Sequence, residues 1–434
     1  MLDLIIKNGQ CYIDGKLKIT DIAVKDGKIL KISDNLDQAK EIIDAKGLTV
    51  LPGCIDTQTH FREPGSTDTE DLNSGSRAAI AGGITSVFEM PNTNPPTSNM
   101  KEFQRKIDLA KNRMYCNHAF YFGATADNAD DLASLDGLEG CCGIKLFVGS
   151  STGNLLVAEE DDIEKVFQNA SKIIAVHSED EAILKANKKL IKNGDVHSHP
   201  VWRSAECAIA STRRIVRIAE KHNKKAHVLH ISTKEEIDFL SQHKGNITFE
   251  ITPQHLTMYA PDCYDKLGTY AQMNPPLRDK SHYDRLWYAV RNNLNDTIGS
   301  DHAPHLKKNK DKVYPETPSG MPGVQTLMPV MLNHVNDGKL TLSQLVKFVC
   351  ENPVKIFGIK NKGFIKEKYD ADLTVIDMNK IIEIKNDNIE SKCGWSPFNN
   401  FKFKGTPVMT IVGGKIKMKE GKILGEPEGL PLIF

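Results

Sequence analysis

The chain has 434 residues, of which 40% are apolar and 26% are charged, a composition typical of a protein with a packed core. Lysine plus arginine and aspartate plus glutamate are equal at 56 each, so the charge balance gives no sign of a nucleic-acid partner or a membrane surface. No apolar run approaches the roughly 20 residues that span a bilayer, the first residues lack a signal-peptide pattern, and the nine cysteines form no disulfide framework. We therefore expect a cytoplasmic protein that acts on a small molecule.

The two ends of the chain have similar sequence patterns. Residues 1–50 predict short strands joined by Asp-Gly turns, and residues 364–434 repeat that style. We expect the two ends to pair into one small β domain. The intervening residues, 51–363, are predicted to form a separate and larger domain.

Within the larger domain, eight short apolar or β-branched runs alternate with longer stretches of helical period. Eight strand–helix units in about 250 residues is the size of a (β/α)8 barrel, a fold of the α/β class. A doubly wound open sheet is the alternative, but it gathers fewer strand ends. Barrels of this kind carry their chemistry at the C-terminal ends of the strands. Polar residues lie near those ends in six of the runs, namely His60, Asn92, Lys145, His177, His230 and Asp301.

Two further segments carry local signals. The stretch STKEEIDFLSQHKG begins with a capping-box pattern from Thr233 to Glu236, which predicts a helix that ends at Gly245. Residues 306–324 are charged and then rich in glycine and proline, which is typical of a mobile loop over a barrel mouth.

The stretch IDTQTHFREPG suggests an anion site. In a strand, alternate residues share a face, so Asp56, Gln58, His60 and Arg62 are predicted to point the same way. A guanidinium at that position can bind a carboxylate through two hydrogen bonds, and Asn92 can donate to the same anion. Alternatively, Arg62 pairs with Glu63 or Glu70 in a surface network.

The histidines at the strand ends suggest a metal site. His177 and His230 each end an apolar run, and either one alone is better explained as a buried structural histidine. Together with His60 and Asp301 at matching strand ends, they predict a catalytic zinc site with an open position for water.

Lys145 and Asp301 are the unusual charged residues of these runs. A lysine in so apolar a run is costly to bury unless it is paired, and we considered an ion pair with Asp301 or carbamylation of Lys145 by CO2. Asp301 precedes His302 and His305 in GSDHAPH, where a carboxylate beside zinc can act as a general base.

Several blocks, taken in order, resemble the amidohydrolase superfamily and, within it, the dihydroorotases. They are DTQTHFREPG, GGITSVFEMPNTNP, GIKLFVGSSTGN, VHSEDE, HVLHIST, MNPPLR, SDHAPH and SGMPG, and the likeness covers nearly the whole chain. The resemblance implies a (β/α)8 barrel with a small β domain built from both termini, zinc, and a homodimer. It also implies reversible interconversion of dihydroorotate with N-carbamoyl-aspartate in pyrimidine synthesis.

The resemblance also implies the metal ligands. One metal would be held by His177 and His230, and Lys145 matches the lysine that is carbamylated to bridge two metals. The second metal would be held by His60, Asp301 and Gln58, where the family has a histidine in place of Gln58. A neutral glutamine oxygen is a weaker zinc ligand, so we expect one firmly bound zinc and a second site that is only partly filled.

The remaining site residues and the mechanism follow from the same resemblance. The substrate carboxylate would be held by Arg62, Asn92 and His305. Asn274 and the backbone near Pro322 and Gly323 would meet the ring. Asp301 would take a proton from the attacking water and return it to the departing ring nitrogen.

Two other interpretations of the sequence remain open. Allantoinases, hydantoinases and dihydropyrimidinases share the barrel and the ligands, but their neutral rings need no site such as Arg62 with Asn92. The other interpretation is a non-catalytic relative that acts as a scaffold, and Gln58 is the only feature of the sequence that favours it.

Overall fold

Both termini contribute to one sheet in a computed structural model that describes residues 1–151 and 153–434. The strands from the N-terminal side are β1 (Leu2–Ile13), β2 (Lys16–Lys25), β3 (Lys28–Ile32), β4 (Ala39–Asp44) and β5 (Thr49–Pro52). Those from the C-terminal side are β14 (Leu373–Glu383), β15 (Lys402–Val412), β16 (Lys415–Lys419) and β17 (Lys422–Ile423). The sheet order is β17-β16-β15-β14-β5-β1-β2-β3, with β4 also paired to β1. The predicted pairing of the two ends is therefore confirmed.

The turns of this sheet form where Asp-Gly pairs occur. Asp14 and Gly15 have φ angles of 48° and 79°, and Asp26 and Gly27 have φ angles of 49° and 75°. Two consecutive positive φ angles define the hairpin turn whose twist matches that of the flanking strands.

The second sheet is the barrel. Its parallel strands are β6 (Cys54–Thr59), β7 (Ile84–Glu89), β8 (Asn117–Gly123), β9 (Cys141–Phe147), β10 (Ile174–His177), β11 (Ala226–Val228), β12 (Ile247–Ile251) and β13 (Thr297–Ile298). Each strand pairs with the next in sequence. A parallel bridge between Thr59 and His302 joins the first strand to the segment after the last, which closes the barrel. The predicted barrel is confirmed, and its strand ends meet at one rim.

The first predicted strand is shorter than we expected at both ends. It divides at Gly53, so that Pro52 pairs with Leu373 in the terminal sheet while the barrel strand starts at Cys54. The barrel strand ends at Thr59, and Arg62 has a φ of 61°. The strand therefore does not continue to Arg62 as predicted, because a left-handed residue breaks the strand period, although Gln58, His60 and Arg62 still face one cavity.

The barrel is surrounded by helices. In chain order they are Leu72–Ala81, Met100–Ala110, Glu160–Asn169, Glu181–Asn187, His199–Trp202, Ala205–Lys221, Lys234–Leu240, Asp262–Leu267, Lys280–Arg291, Lys307–Lys310, Leu327–Asn336, Leu342–Val346 and Asn352–Phe357. The capping box from Thr233 to Glu236 is confirmed. The predicted end at Gly245 is wrong, because the helix ends at Leu240. Residues 241–243 then form isolated turns before β12 begins. No helix in the described ranges is long and apolar enough to cross a bilayer.

Residues 306–324 lie over the barrel mouth. The segment begins with the helix Lys307–Lys310, and Lys310, Tyr314 and Met321 are buried. Its mobility stays a prediction, as do the domain boundaries at residues 50 and 363.

Candidate functional site

The C-terminal rim of the barrel encloses one cavity that is lined mostly by polar side chains. Its described lining consists of Gln58, His60, Arg62, Asn92, Lys145, Phe147, Ser151, His177, His230, Asn274, Asp301, Ala303, Ser319 and Gly320. All six residues predicted from strand ends thus meet in one place, as parallel strands in a closed barrel require.

Three predicted site residues lie beside the cavity instead of in its described lining. His305 is behind Arg62, with Nε2 of His305 3.5 Å from a terminal nitrogen of Arg62. The backbone nitrogen of Gly323 donates to Nδ1 of His302 at 3.0 Å, and Pro322 is buried next to it. Ser319 and Gly320 occupy the wall position that we assigned to Pro322 and Gly323, so a direct role of that pair stays a prediction.

Two histidines direct a ring nitrogen toward the same point. Nδ1 of His177 lies 3.1 Å from Nε2 of His230. Nε2 of His177 lies 2.9 Å from a carboxylate oxygen of Glu179, which fixes its hydrogen on Nε2 and leaves Nδ1 as a lone pair. Burial lowers the pKa of both imidazoles, so both are neutral. Two nitrogens bound to one tetrahedral zinc stand about 3.3 Å apart, so the observed spacing fits zinc.

Glu179 was not singled out by the sequence analysis. Its carboxylate also receives hydrogen bonds from Arg203, which is 2% exposed and donates in addition to the Ser150 carbonyl at 2.7 Å. Arg203 lies 24 residues further along the chain than Glu179. Such partners of a metal-binding histidine hold its orientation and its tautomer.

Lys145 is buried beneath this pair of histidines without a hydrogen-bond partner among the described residues. Its ammonium nitrogen lies 4.5 Å from the centroid of the Phe147 ring. The alternative of an ion pair with Asp301 is not formed within the described chain, because Asp301 contacts other groups. Burial lowers the pKa of Lys145 to about 7 despite the opposing charges of Asp301 and Glu250. A neutral amine is the form that reacts with CO2.

Asp301 is held by Gln58. Nε2 of Gln58 donates to Oδ1 of Asp301 at 2.9 Å, while the side-chain oxygen Oε1 of Gln58 is buried without a partner among the described residues. Nε2 of His60 lies 3.3 Å from the same Asp301 oxygen. Burial alone would raise the pKa of Asp301, but the contact with His60 and the nearby His230 and Lys145 outweigh it and keep the carboxylate ionised.

His60 lies between two acceptors. Its Nδ1 is 2.8 Å from Oδ1 of Asn92, opposite the contact with Asp301. Burial lowers the pKa of His60 to about 4, so the imidazole is neutral and donates to only one of them. In the described ranges, no group of three or more His, Cys, Asp and Glu side chains is arranged to hold a metal. The N–H of Gln58 that faces Asp301 makes the position at His60 a poorer fit for zinc than the pair His177 and His230.

Arg62 is a buried cation that faces the cavity. It is 8% exposed, and its Nε donates to the carbonyl of Pro304 at 3.2 Å. Neither carboxylate that we considered as its partner pairs with it. Glu63 binds Arg113 at 2.7 Å, and Glu70 receives hydrogen bonds from Ser391 and other groups. In the part of the chain that the structure describes, Arg62 has no carboxylate within ion-pair distance, so its guanidinium can take one from a ligand.

The backbone is left-handed at three of these residues and strained at Arg62. Arg62, His230 and Asp301 have φ angles of 61°, 39° and 44°, a region that asparagine, aspartate and histidine adopt more readily than arginine. Such strain concentrates at active sites, where surrounding contacts hold it in place. Each of the three residues lies two or three positions beyond the end of a barrel strand, and all three side chains line the cavity.

Comparisons with known proteins agree with this geometry. The chain matches the Amidohydrolase family over residues 49–417. It is 34% identical to the dihydroorotase of Methanosarcina mazei over 98% of this chain and 96% of that protein. The dihydroorotase of Pyrococcus furiosus is also 34% identical, over 99% of this chain and 96% of its own. The solved structure of L-hydantoinase (dihydropyrimidinase) from Arthrobacter aurescens has a TM-score of 0.95 at 29% identity and covers 100% of both chains.

Proposed function

Because the chain belongs to the amidohydrolase family and, within it, to the dihydroorotases, we propose that its cavity interconverts dihydroorotate and N-carbamoyl-aspartate, a step of pyrimidine synthesis. The observation that carries this proposal is Arg62, a buried guanidinium that faces the cavity and lacks a carboxylate partner in the described ranges. Dihydroorotate is a cyclic amide that brings one carboxylate. Burial without a partner is costly for a guanidinium, so the ligand that supplies the missing charge is favoured.

The carboxylate orients the ring for hydrolysis. Arg62 would bind it through two hydrogen bonds, with Asn92 beside it in the cavity lining. His305, whose Nε2 lies 3.5 Å from Arg62, would complete this site. Asn274, which also lines the cavity, would meet the polar edge of the ring. A ring held at two edges places its amide carbonyl toward the histidines and Asp301.

His177 and His230 would hold the zinc ion, and a carbamate on Lys145 would add an oxygen ligand. When bound, zinc supplies Lewis acidity that makes water nucleophilic near neutral pH. Glu179 and Arg203 keep the lone pair of His177 directed toward the ion. Burial of Lys145 favours the neutral amine from which the carbamate forms.

Asp301 would move the proton. Its carboxylate is ionised and accepts the proton of the attacking water as the water oxygen bonds to the ring carbonyl carbon. The carbon–nitrogen bond of the ring then breaks, and Asp301 returns the proton to the departing nitrogen. The product carries a new carboxylate and a free ureido group, and the reverse sequence closes the ring.

Turnover by the purified chain tests the proposal. The enzyme is loaded with zinc in bicarbonate buffer and incubated separately with dihydroorotate and with N-carbamoyl-aspartate. We expect each compound to be converted to the other. A zinc-loaded and folded chain that converts neither would support the scaffold interpretation.

We also predict the metal content, from the contact of Gln58 with Asp301. Gln58 presents an N–H donor to the carboxylate oxygen that a second ion would need, so the wild type should retain about one zinc per chain, at His177 and His230. In Gln58→His, an imidazole lone pair replaces that donor, and zinc content should rise toward two per chain. Elemental analysis after dialysis measures both values.

Gln58→Ala serves as the matched control, because it removes the donor without adding a ligand, and it should also stay near one zinc per chain. If the wild type already retains two tightly bound ions and Gln58→His gains none, Gln58 is a competent ligand. The account of the weak second site would then be wrong.

A further inference from the structure

Lys310 is a buried lysine with no acidic partner. It is 0% exposed and lies at the end of the short helix Lys307–Lys310. Elsewhere in the described chain, the buried lysines outside the cavity, Lys106, Lys362 and Lys417, each pair with a carboxylate. Lys310 has no such ion pair among the described residues. A buried ammonium is costly, so the groups that do receive its hydrogen bonds indicate its purpose.

Those groups are three main-chain carbonyls from two segments. The ammonium donates to the carbonyl of Pro318 at 2.9 Å, and to those of Gly320 and Gln272 at 3.3 Å each. The carbonyl of Lys310 itself accepts from the hydroxyl of Thr269 at 2.6 Å. Lys310 therefore ties the segment 318–320 to the segment 269–272.

The segment 318–320 forms part of the cavity wall. The carbonyls of residues 318 and 320 face Lys310, whereas the carbonyl of Ser319 faces the other way and accepts from Nε2 of His305 at 3.0 Å. Gly320 has a φ of 144°, and a Cβ there would lie 2.5 Å from the Ala303 carbonyl. Residues 318–320 are thus hydrogen-bonded on one side to Lys310 and on the other to His305, and Gly320 has no space for a side chain.

The segment that contains Gln272 leads to the ring site. The amide of Gly320 donates to the carbonyl of Gln272 at 2.9 Å, so the two segments are also bonded to each other. Asn274, two residues further on, lines the cavity together with Ser319 and Gly320. Lys310 is not itself part of the cavity lining, but it bonds the backbone of two segments that are, at Gly320 and at Gln272.

We infer that Lys310 is a positioning residue for substrate binding: its ammonium fixes the wall at Ser319 and Gly320, and with it His305 and Asn274, in the geometry that receives the substrate. This inference rests on the proposed function. It predicts an effect on KM more than on kcat, because Asp301 and the zinc ligands lie on other elements.

If Lys310 has this role, KM should change with pH as the ammonium of Lys310 loses its proton. Burial lowers the pKa of Lys310 to about 7, so above neutral pH the amine loses its charge and one of its donors. The neighbouring groups with shifted pKa values do not titrate near pH 7. The pKa of His305 lies well below its usual value, and those of Cys393 and Tyr270 are raised to about 11 and about 12, chiefly by burial. The other charged groups nearby are Asp311, which accepts from Tyr270, and Lys307 and Arg62.

The test compares KM and kcat for dihydroorotate between pH 6 and pH 9. Lys310→Met keeps the apolar stem but removes charge and donors, and should raise KM about 10- to 100-fold at every pH. Lys310→Arg keeps its charge throughout, so its KM should not rise across neutral pH as that of the wild type does. Lys308→Met, an exposed lysine of the same helix, is the matched control and should behave as the wild type.

A second readout needs no substrate. Hydrogen exchange at the amide of Gly320, followed by mass spectrometry of the peptide that contains it, should be faster in Lys310→Met than in Lys308→Met. Unchanged KM profiles and unchanged exchange would overturn the inference. If Lys310→Met does not fold, a pH dependence of KM in Lys310→Arg equal to that of the wild type would overturn it. If the proposed function is wrong, the wild type itself will not turn over dihydroorotate, and this result is distinct from a failure of the inference about Lys310.

Discussion

Replacing Asp301 with asparagine should lower kcat by about 10²- to 10⁴-fold, the usual contribution of a positioned general base. Asparagine keeps the shape of the side chain and an oxygen toward Gln58 and His60, but it is unable to accept the proton from water. The carboxylate that it replaces is ionised at neutral pH and lines the cavity beside His230. Steady-state kinetics of dihydroorotate hydrolysis measure the effect.

The control for this variant is its metal content. Zinc at His177 and His230 should remain, since neither histidine bonds Asp301. A zinc-loaded Asp301→Asn protein with substantial activity would move the base role to another group. His305 is the next candidate, because it is the other titratable side chain near the substrate carboxylate site.

Replacing Arg62 with alanine should lower kcat/KM for dihydroorotate by about 10²- to 10⁴-fold. A charged hydrogen bond contributes about 1.5–3 kcal/mol, and a guanidinium can make two such bonds to one carboxylate. The folded state should be little affected, because Arg62 makes one short hydrogen bond within the described chain, to Pro304. Kinetics together with a thermal melt separate the two effects.

Arg113→Ala is the matched control for Arg62. Arg113 is a guanidinium close in space to this loop, but it binds Glu63 outside the cavity lining, so its loss should leave dihydroorotate kinetics near those of the wild type. The weak turnover of a ring without a carboxylate should also be unaffected by Arg62→Ala. Near-normal kcat/KM for dihydroorotate in Arg62→Ala would show that the anion site lies elsewhere.

The barrel and its cavity were largely predictable from the sequence, because strand periodicity places polar residues at strand ends and a closed parallel barrel brings those ends together. His177, His230, Lys145 and Asp301 meet for that reason. Knowledge of the topology alone is enough to make these residues neighbours.

The details beyond the strand ends were not predictable in this way. Arg62 faces the cavity as strand alternation predicted, but the strand ends at Thr59 and the direction of Arg62 depends on a left-handed backbone angle. The direction of the Gln58 amide depends on its contact with Asp301 across the barrel. Neither angle nor contact leaves a periodic signal in the sequence.

Residues that act through others were missed altogether. Glu179 follows His177 by two positions, but its partner Arg203 lies on a distant segment, and Trp395 donates to the carbonyl of His305 from 90 residues away at 2.7 Å. In the sequence, nothing distinguishes Lys310 from the other lysines of a charged loop. Only its burial and its carbonyl partners distinguish it from Lys308.

The central claim is that the cavity selects a cyclic amide by its carboxylate. The most direct measurement is the ratio of kcat/KM for dihydroorotate to that for dihydrouracil, which has the same ring without the carboxylate, using one preparation of the zinc-loaded wild type. The account predicts a ratio of about 10² or more, since Arg62 and Asn92 act only on the first compound. Equal values, or faster turnover of dihydrouracil, would contradict it and identify a site for neutral rings.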